Sequence, residues 1–370
     1  MKLNKLFFLS LAALALTACD NTPEDPTDPT PPNSGTQISC TGYSGAYILN
    51  EGGWGMNEAR IDQLDFSSGT LLENQYVNAN PSVVLALGDV ANDLKLHNQR
   101  LYAVVNGSHK VEVMDAANLK RIGQIDISSP RSIAFTDTHA YVTSYVDGNN
   151  DNGSIVEFSL ETLKETRSVS VGQEPEGIAI IDNIIYVANS GGFHAPNYSD
   201  EVWCLNVSDL SISNKIKVAP NLRYMSAAPD GSVWVTSQGN YYDVPSGLFR
   251  IKNGVVTSAN VPCTGFTFAD NKILYYASSW SYETNSNTIT YGTIDIETMD
   301  CGPSFITDGS ESNITIPYGI AAAGELIIVT DAKSYTTSGA IHIYDTSGKL
   351  IKQYSTGVCP NSIVFLPKNQ

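Results

Sequence analysis

The sequence predicts an all-β protein, a seven-bladed β-propeller whose N- and C-terminal strands share one closing blade. A unit of about 45 residues recurs along the chain, and clear copies start at Pro130, Pro175 and Pro317. The last copy starts at Pro360 and stops after one strand, and the rest of that unit lies near residues 45–78. A repeat whose two ends complete each other indicates a closed ring of small sheets.

The spacing of the repeat gives the number of blades. Successive starts are separated by 45, 45, 42, 55 and 43 residues, and they lie at Pro130, Pro175, Pro220, Pro262, Pro317 and Pro360. In the copy from Pro175, turn residues such as Asp182-Asn183 separate four runs of β-branched and aromatic residues. Six full units, the first near Gly88, and one unit shared by the termini predict seven blades. Pairing the termini in one sheet also removes an open edge.

Composition and charge argue against a nucleic-acid partner. The chain has 370 residues, 16% of them charged, and a formal net charge of −17. Phosphates would be repelled by such a protein, and no basic stripe offsets the charge.

The first forty residues predict a lipid-anchored protein. Lys2 and Lys5 precede an apolar run that is too short to span a bilayer, so residues 1–18 are interpreted as a lipoprotein signal peptide. Cys19 would then carry the lipid. The alternative is an ordinary signal peptide with an incidental cysteine. Residues 19–40 are rich in proline and acidic residues and predict an extended tether, and residues 41–370 would form the propeller.

Acidic residues directly after Cys19 resemble the surface-export signals of Bacteroidetes lipoproteins. They predict a protein anchored in the outer membrane and exposed to the medium, with an anchor facing the periplasm as the alternative. The cysteines that follow are Cys40, Cys204, Cys263, Cys301 and Cys359. Their odd number leaves at least one thiol unpaired, and their spacing does not give a connectivity.

Propeller geometry places the loops between second and third strands on one face of the disc, together with the starts of the first strands. The loops carry Trp54, Tyr145, Phe193, His194, Tyr198, Tyr241, Tyr242, Trp280, Tyr282 and Tyr335. The starts of the first strands add Asn92, Arg131, Glu176, Arg223 and Tyr318 near the central funnel. We expect a ligand-binding surface here, because aromatic loop tips on a rigid scaffold are typical of binding sites.

Two alternatives to this interpretation stay open. The tyrosines can be present in long polar loops by chance, with nothing bound. Arg131 or Arg223 can serve only to pair with Glu176 between blades.

No motif indicates catalysis, and we expect a protein that is not an enzyme. The chain has no nucleophile elbow, phosphate loop or dinucleotide fingerprint in a convincing context, and no cysteines or histidines at metal-ligand spacing. Asp147–Gly153 resembles a calcium loop, but its glycine comes one place late and Phe158 stands where a bidentate glutamate is needed. A polar turn is the better interpretation, and calcium binding is only weakly supported.

Several motifs, in order, resemble a known family. Ile48–Gly55, Leu87–Asp93 and Val171–Ile178 are similar to segments of the YncE-like surface propeller lipoproteins of Bacteroidetes, and the likeness runs from about Gly45 to Leu366. Within that family the chain is most similar to the BtuG group, which captures cobalamin and passes it to the TonB-dependent transporter BtuB. The resemblance implies cobalamin or a related corrinoid as the transported ligand, a BtuB-type transporter as the partner, and no cofactor. It does not assign contact residues.

Other functions are compatible with the same loops. A surface module that binds glycans or docks a protein would also use aromatic platforms beside amide groups. A lyase or lactonase with a metal in the funnel is less favoured.

Overall fold

The computed structural model describes residues 36–83, 86–145, 152–281 and 286–368, and it confirms the predicted fold. In these residues, seven four-stranded antiparallel sheets form the blades of a propeller. The first strand of each blade lies innermost. The strand order of the closing blade joins the C-terminal strand to the three N-terminal ones.

The strands have the following bounds, in chain order. The N-terminal part of the closing blade contains β1 (Tyr43–Asn50), β2 (Arg60–Asp65) and β3 (Thr70–Leu72), followed by a short helix α1 (Gln75–Ala79). Blade 1 has β4 (Ala91–His97), β5 (Arg100–Val105), β6 (Lys110–Asp115) and β7 (Arg121–Asp126). Blade 2 has β8 (Pro130–Phe135), β9 (His139–Ser144), β10 (Ser154–Ser159) and β11 (Glu165–Ser170). Blade 3 has β12 (Pro175–Ile181), β13 (Ile184–Asn189), β14 (Glu201–Asn206) and β15 (Ile212–Lys217).

The second half of the ring continues in the same way. Blade 4 has β16 (Leu222–Ala227), β17 (Val233–Ser237), β18 (Gly247–Lys252) and β19 (Val255–Ser258). Blade 5 has β20 (Gly265–Ala269), β21 (Lys272–Ser281), β22 (Ser286–Asp295) and β23 (Cys301–Gly302), followed by a 3-10 helix (Ser310–Asn313). Blade 6 has β24 (Pro317–Ala323), β25 (Leu326–Asp331), β26 (Ser338–Asp345) and β27 (Leu350–Val358), and β28 (Pro360–Pro367) completes the closing blade.

The hydrophobic core is divided among the gaps between blades. Each of the seven buried clusters in the described residues lies between two neighbouring sheets. Between blades 4 and 5, for example, Trp234 and Leu248 pack with Ile273 and Ile294. Middle strands are apolar on both faces because they pack against two neighbours, which explains continuous buried runs such as Val233–Ser237. The ring is therefore held together by burial between blades.

The chain enters the propeller on the face opposite the long loops. The Ile38 N–H donates to Phe66 O at 2.8 Å, beside the turn between β2 and β3. The Thr41 N–H donates to Glu325 Oε2 at 2.7 Å, in the turn between β24 and β25. Both turns join strands on the side away from the loops that follow second strands.

Two local expectations differ from the structure. Residues 75–79 of the closing unit are helical, whereas strands were expected to about Asn78. The expected loop at 279–288 is mostly strand, since β21 and β22 have ten residues each and pair as far as Ser281 with Ser286. Residues 288–290 are the β-branched run Thr-Ile-Thr, and this run favours strand and extends the hairpin despite its loop-like composition.

Some predictions fall outside the described residues. These are the signal peptide, Cys19, Asp147–Asp151 of the calcium-like loop, and Tyr282. No helix in the described part of the chain is long and apolar enough to cross a membrane. The five cysteines that the structure describes are free thiols, and Cys301 is the exposed one among them.

Candidate functional site

A β-bulge at the loop end of the first strand recurs in six of the seven blades. The pairing with the second strand skips Asn92 in β4, Arg131-Ser132 in β8, Glu176-Gly177 in β12, Arg223-Tyr224 in β16, Tyr318 in β24 and Asn361 in β28. The pairing of β20 with β21 in blade 5 has no such shift. Bulges re-aim side chains and are frequent next to functional sites. Here they turn polar side chains toward the mouth of the central channel.

Threonine hydroxyls on second strands support several of these bulges. Thr143 Oγ1 accepts the Ser132 N–H at 2.9 Å, and Thr236 Oγ1 accepts the Tyr224 N–H at 3.0 Å. A bulge leaves such an amide without its ladder partner, and a buried orphan amide is costly. The recurring Val-Thr-Ser of β9 and β17 thus has a structural explanation.

Six side chains form a hydrogen-bonded chain around the channel mouth, which we call the polar belt: Glu51, Asn92, Arg131, Tyr145, Glu176 and Tyr318. Arg131 contacts Glu176 through Nε to Oε2 at 3.0 Å and Nη2 to Oε1 at 3.2 Å, and its Nη1 donates to Asn92 Oδ1 at 2.7 Å. The hydroxyl of Tyr145 donates to Glu176.

The belt continues from blade 1 into the closing blade and blade 6. Asn92 Nδ2 donates to Glu51 Oε1 at 3.0 Å, and Tyr318 Oη donates to Glu51 Oε2 at 2.6 Å. The polar belt therefore crosses blades 6, 7, 1, 2 and 3, with the closing blade counted as blade 7, and leaves blades 4 and 5 open.

The two carboxylates of the polar belt have different environments. Burial raises the pKa of Glu51, although hydrogen bonds from Tyr318 and Asn92 and the charge of Arg131 oppose the shift. Burial also disfavours the charged form of Glu176, yet Arg131, Arg223 and Tyr145 outweigh it and lower its pKa. The pKa of Tyr145 is raised by burial and by Glu176, so its phenol stays a donor.

Arg223 differs from Arg131. In the described residues it makes no salt bridge. Its guanidinium lies 4.9 Å from the ring centroid of its neighbour Tyr224, and its Nη1 donates to the side-chain oxygen of Gln238 at 2.7 Å. The alternative of direct pairing with Glu176 thus fits Arg131, whereas Arg223 acts on Glu176 through its charge without a salt bridge.

A cavity of about 270 Å³ occupies the central channel. Its lining includes Asn92, Tyr224, Phe266, Phe268, Tyr276 and Tyr318. Polar and aromatic groups meet in this cavity, and two members of the polar belt contribute to its wall.

Exposed apolar side chains concentrate on the same face, in a surface that we call the aromatic rim. It consists of Trp54, Met56, Phe193, Tyr241, Tyr242, Val244 and Tyr335, all on loops that follow second strands. Trp54 and Phe193 are each 77% exposed and Tyr242 is 94% exposed. The other large apolar side chains exposed in the described residues lie singly on outermost strands: Leu72, Ile122, Ile212, Val255 and Ile351. Among the described residues, the exposed large apolar side chains on loops therefore lie on one face, and such a concentration is typical of an interaction surface.

Aromatic pairs connect the rim with the polar belt. Tyr145 packs edge-on against Phe193 at 5.7 Å between ring centroids, and Tyr318 packs against Tyr335 at the same distance. Beside the rim, the ring centroid of Tyr198 lies 6.2 Å from that of Tyr241.

The remaining predicted residues lie near this face. His194 Nδ1 lies 3.0 Å from Glu174 Oε2, so its ring is held by a local partner. Trp280 belongs to β21, in the part of the hairpin whose side chains are not described.

Sequence reasoning missed Glu51, Tyr224 and Tyr276. Glu51 directly follows the second strand of the closing blade, just as Tyr145 follows that of blade 2, so alignment of the repeats could have found it. Tyr276 lies within an apolar strand and gives no signal in the sequence. Among the described residues, no group of three or more His, Cys, Asp or Glu side chains could hold a metal ion.

Solved structures with the same fold are similar to this chain at low identity. A quinoprotein alcohol dehydrogenase-like protein from Bacteroides thetaiotaomicron is 17% identical with a TM-score of 0.63, over 87% of this chain and 78% of that one. Hydrazine synthase from Kuenenia stuttgartiensis is 14% identical with a TM-score of 0.57, over 73% of this chain and 93% of that one. The Pan2 WD40 domain of Neurospora crassa is 10% identical with a TM-score of 0.50, over 75% of this chain and 81% of that one.

At these identities the likeness shows the fold alone, and it includes an enzyme as well as a WD40 domain. The chain matches no curated protein. Residues 44–365 match the family model described as a domain of unknown function, DUF5074, and the chain belongs to that family.

Proposed function

We propose that this protein binds cobalamin or a related corrinoid at the aromatic rim and delivers it to a TonB-dependent outer-membrane transporter of BtuB type. In this proposal it is a lipid-anchored surface protein and carries out no catalysis. The observation that carries the proposal is the concentration of exposed aromatic side chains on one face, around a polar channel mouth.

The chemistry of the rim suits a large ligand with an apolar face and amide edges. Tyr241 and Tyr242 are 70% and 94% exposed and offer ring surfaces for such a face. The hydroxyl of the exposed Tyr242 adds a neutral group that can hydrogen-bond amides. Asn240 holds the shape of this loop, because its Oδ1 accepts the backbone N–H groups of residues 242–244. Because the loops stand on packed blades, binding would order little of the protein.

The direction of the N-terminal segment is compatible with capture from the medium. The segment at 36–42 lies on the face opposite the rim. The described chain therefore begins on the side away from the rim, which leaves the rim open to ligand.

Isothermal titration of the purified chain with cyanocobalamin tests the proposal. We expect a Kd in the micromolar range or tighter. Because single aromatic contacts in an interface are worth about 1–2 kcal/mol, Tyr242→Ala and Trp54→Ala should each weaken binding roughly 5- to 30-fold without changing the Tm. Val255→Ala is the matched control, since Val255 is 64% exposed on an outermost strand.

Two results would contradict the proposal. One is the absence of heat with micromolar cyanocobalamin. The other is that the chain binds an oligosaccharide but does not bind cyanocobalamin, and this result would support the glycan alternative.

A further inference from the structure

The tip of the loop that presents Trp54 buries little surface. Residues 54–58 are all exposed, and they include Trp54 and Met56, two of the seven residues of the aromatic rim. An exposed segment with few packing contacts opens locally at little cost in free energy. The position of this tip therefore depends on hydrogen bonds rather than on burial.

Backbone hydrogen bonds hold the two ends of the loop. The Glu51 N–H donates to Cys359 O at 2.9 Å, in the turn between β27 and β28. At the other end, the Ala59 N–H donates to Gly88 O at 3.1 Å. These contacts determine where the loop leaves the sheet and where it returns, but they do not reach the exposed tip.

A carboxylate of blade 1 holds the tip. Asp89 lies in the segment that enters β4, and its Oδ2 accepts the Gly55 N–H at 2.9 Å. Its Oδ1 accepts the Asn57 N–H at 3.2 Å. The two donors directly follow Trp54 and Met56 in the chain, and hydrogen bonds to an ionised carboxylate are stronger than those between neutral groups. Both carboxylate oxygens thus bind the backbone that presents the two rim residues.

The position of Asp89 is determined by another loop of blade 1. The Asp89 N–H donates to Ser108 Oγ at 2.9 Å. A Cβ at Gly107 would lie 2.8 Å from Asp89 Oδ2 and 2.9 Å from Asp89 O, so the carboxylate can lie here only because residue 107 is glycine. The Trp54 loop is thus held from a neighbouring blade, whereas the loop of Tyr242 is held by its own Asn240.

We propose that Asp89 is a positioning residue of the binding face, which holds the Trp54 loop across the gap between the closing blade and blade 1. The inference rests on the proposed function, since it takes the aromatic rim as the face that meets the ligand. A loop that is already ordered loses little conformational entropy on binding, whereas a mobile loop must first be fixed. Removal of the carboxylate should therefore weaken binding through Trp54, without any contact between Asp89 and the ligand.

Amide hydrogen exchange without ligand tests whether Asp89 holds the loop. In Asp89→Asn the side chain keeps its size, but its NH2 group replaces one of the two acceptors and faces a backbone N–H. We expect exchange at Gly55 and Asn57 to be roughly fivefold faster than in the wild type, or more, with no change in β1 and β4.

Two further variants complete this measurement. Asp65→Asn is the matched control, because Asp65 Oδ1 likewise accepts two backbone N–H groups, those of residues 67 and 68 at 2.7 and 3.2 Å, on the opposite face. It should leave exchange in the Trp54 loop unchanged. Gly107→Ala displaces the carboxylate of Asp89 without altering it, so it should accelerate exchange in the same loop. Thermal unfolding shows which variants are folded, and Gly107→Ala carries the test if Asp89→Asn is not.

Calorimetry with cyanocobalamin tests whether Asp89 acts on binding through Trp54. Asp89→Asn alone should weaken binding roughly three- to tenfold, because the loop must then be ordered by the ligand. In the Trp54→Ala background the same substitution should weaken binding less than about twofold, since the loop has lost its largest contact. A residue that only supports the fold would lower the Tm and would weaken binding equally in both backgrounds.

The proposal is overturned if exchange at Gly55 and Asn57 stays at the wild-type rate in the folded variants. It is also overturned if Asp89→Asn weakens cyanocobalamin binding equally with and without Trp54. A wild type that does not bind cyanocobalamin would overturn the proposed function. Faster loop exchange in the same experiment would still support Asp89 as the residue that holds the Trp54 loop, so the two failures can be distinguished.

Discussion

At the scale of single residues, side chains at equivalent positions of the repeat have different contacts at the channel mouth. Arg131 and Arg223 occupy the same bulged position, yet Arg131 contacts Glu176 at 3.0 Å and Arg223 has neutral neighbours. The difference follows from the adjoining blade: blade 3 presents a glutamate to blade 2, whereas blade 5 presents Gly265 to blade 4. One arginine is therefore paired directly with a carboxylate, whereas the other hydrogen-bonds a neutral side chain and acts on Glu176 and Glu51 through its charge.

His342 gives a pH-dependent term in stability. It is fully buried in β26, neither ring nitrogen has a hydrogen-bond partner, and burial lowers its pKa to about 4. In the unfolded chain the pKa is about 6.5. Between pH 6.5 and pH 4, His342 binds a proton in the unfolded state but stays neutral in the folded state. The free energy of unfolding is therefore highest above about pH 6.5 and decreases as the pH falls toward 4.

We expect roughly 3 kcal/mol of unfolding free energy to be lost across this window through His342. Urea denaturation at pH 7 and at pH 4.5 measures it, with His342→Leu as the comparison. Protonation of carboxylates lowers the unfolding free energy of both proteins equally, but only the wild type also loses the contribution of His342. The decrease in unfolding free energy between pH 7 and pH 4.5 should therefore be smaller for the leucine variant. Equal losses in the two proteins would contradict this assignment.

Most rim residues could be placed on one face from the sequence, but their contacts could not. Tyr318 and Glu51 are 267 residues apart and meet at 2.6 Å because the ring closes between them. Tyr145 was expected at the ligand surface, and the sequence did not show that its hydroxyl donates to Glu176 of the next blade. The repeat predicts the position of a residue within its blade. Its hydrogen-bond partner depends on which side chain the neighbouring blade carries, and the repeat does not predict that side chain.

At the scale of elements, close approach between first strands depends on glycine. A Cβ at Gly177 would lie 2.4 Å from Arg223 O and 2.8 Å from Met225 Cβ, across the gap between β12 and β16. Gly177→Ala should thus move β16 and the bulge that carries Arg223. Since overpacking costs typically 1–3 kcal/mol, we expect a loss of about 2 kcal/mol in unfolding free energy.

Chemical denaturation measures this effect, with Gly192→Ala as the control. The nearest atom to a Cβ at Gly192 is a serine hydroxyl at 3.3 Å, in a loop on the rim face. A Gly177→Ala protein as stable as the Gly192→Ala protein would show that β12 and β16 are not in tight contact.

The strands themselves were predictable where apolar runs alternate with turn residues. The four expected strands of blade 3 agree with β12 to β15 within about two residues at their ends. The bulges were not predictable, because the residues that they carry are as varied as Asn92, Arg131 and Tyr318. The hairpin of blade 5 was mistaken for a loop, since serine and asparagine dominate its tip.

At the scale of the whole molecule, closure of the ring determines which face carries the N-terminal segment and which carries the aromatic rim. Strand β28 pairs with β1 through contacts such as Ile48 with Ile363, so the closing blade is a complete four-stranded sheet like the other six. The N-terminal segment then lies on one face and the aromatic rim on the other. The number of blades and the side that carries the long loops followed from the phase of the repeat. The lipid anchor, the domain bounds and the partners stay predictions.

Amide hydrogen exchange with and without saturating cyanocobalamin tests the central claim that the rim is the binding face. We predict slower exchange in the rim loops at 51–59, 190–200, 238–246 and 332–337, and no change in the turns on the opposite face, such as Asp182-Asn183. Protection confined to the opposite face, or no protection at a concentration that saturates binding, would contradict the account.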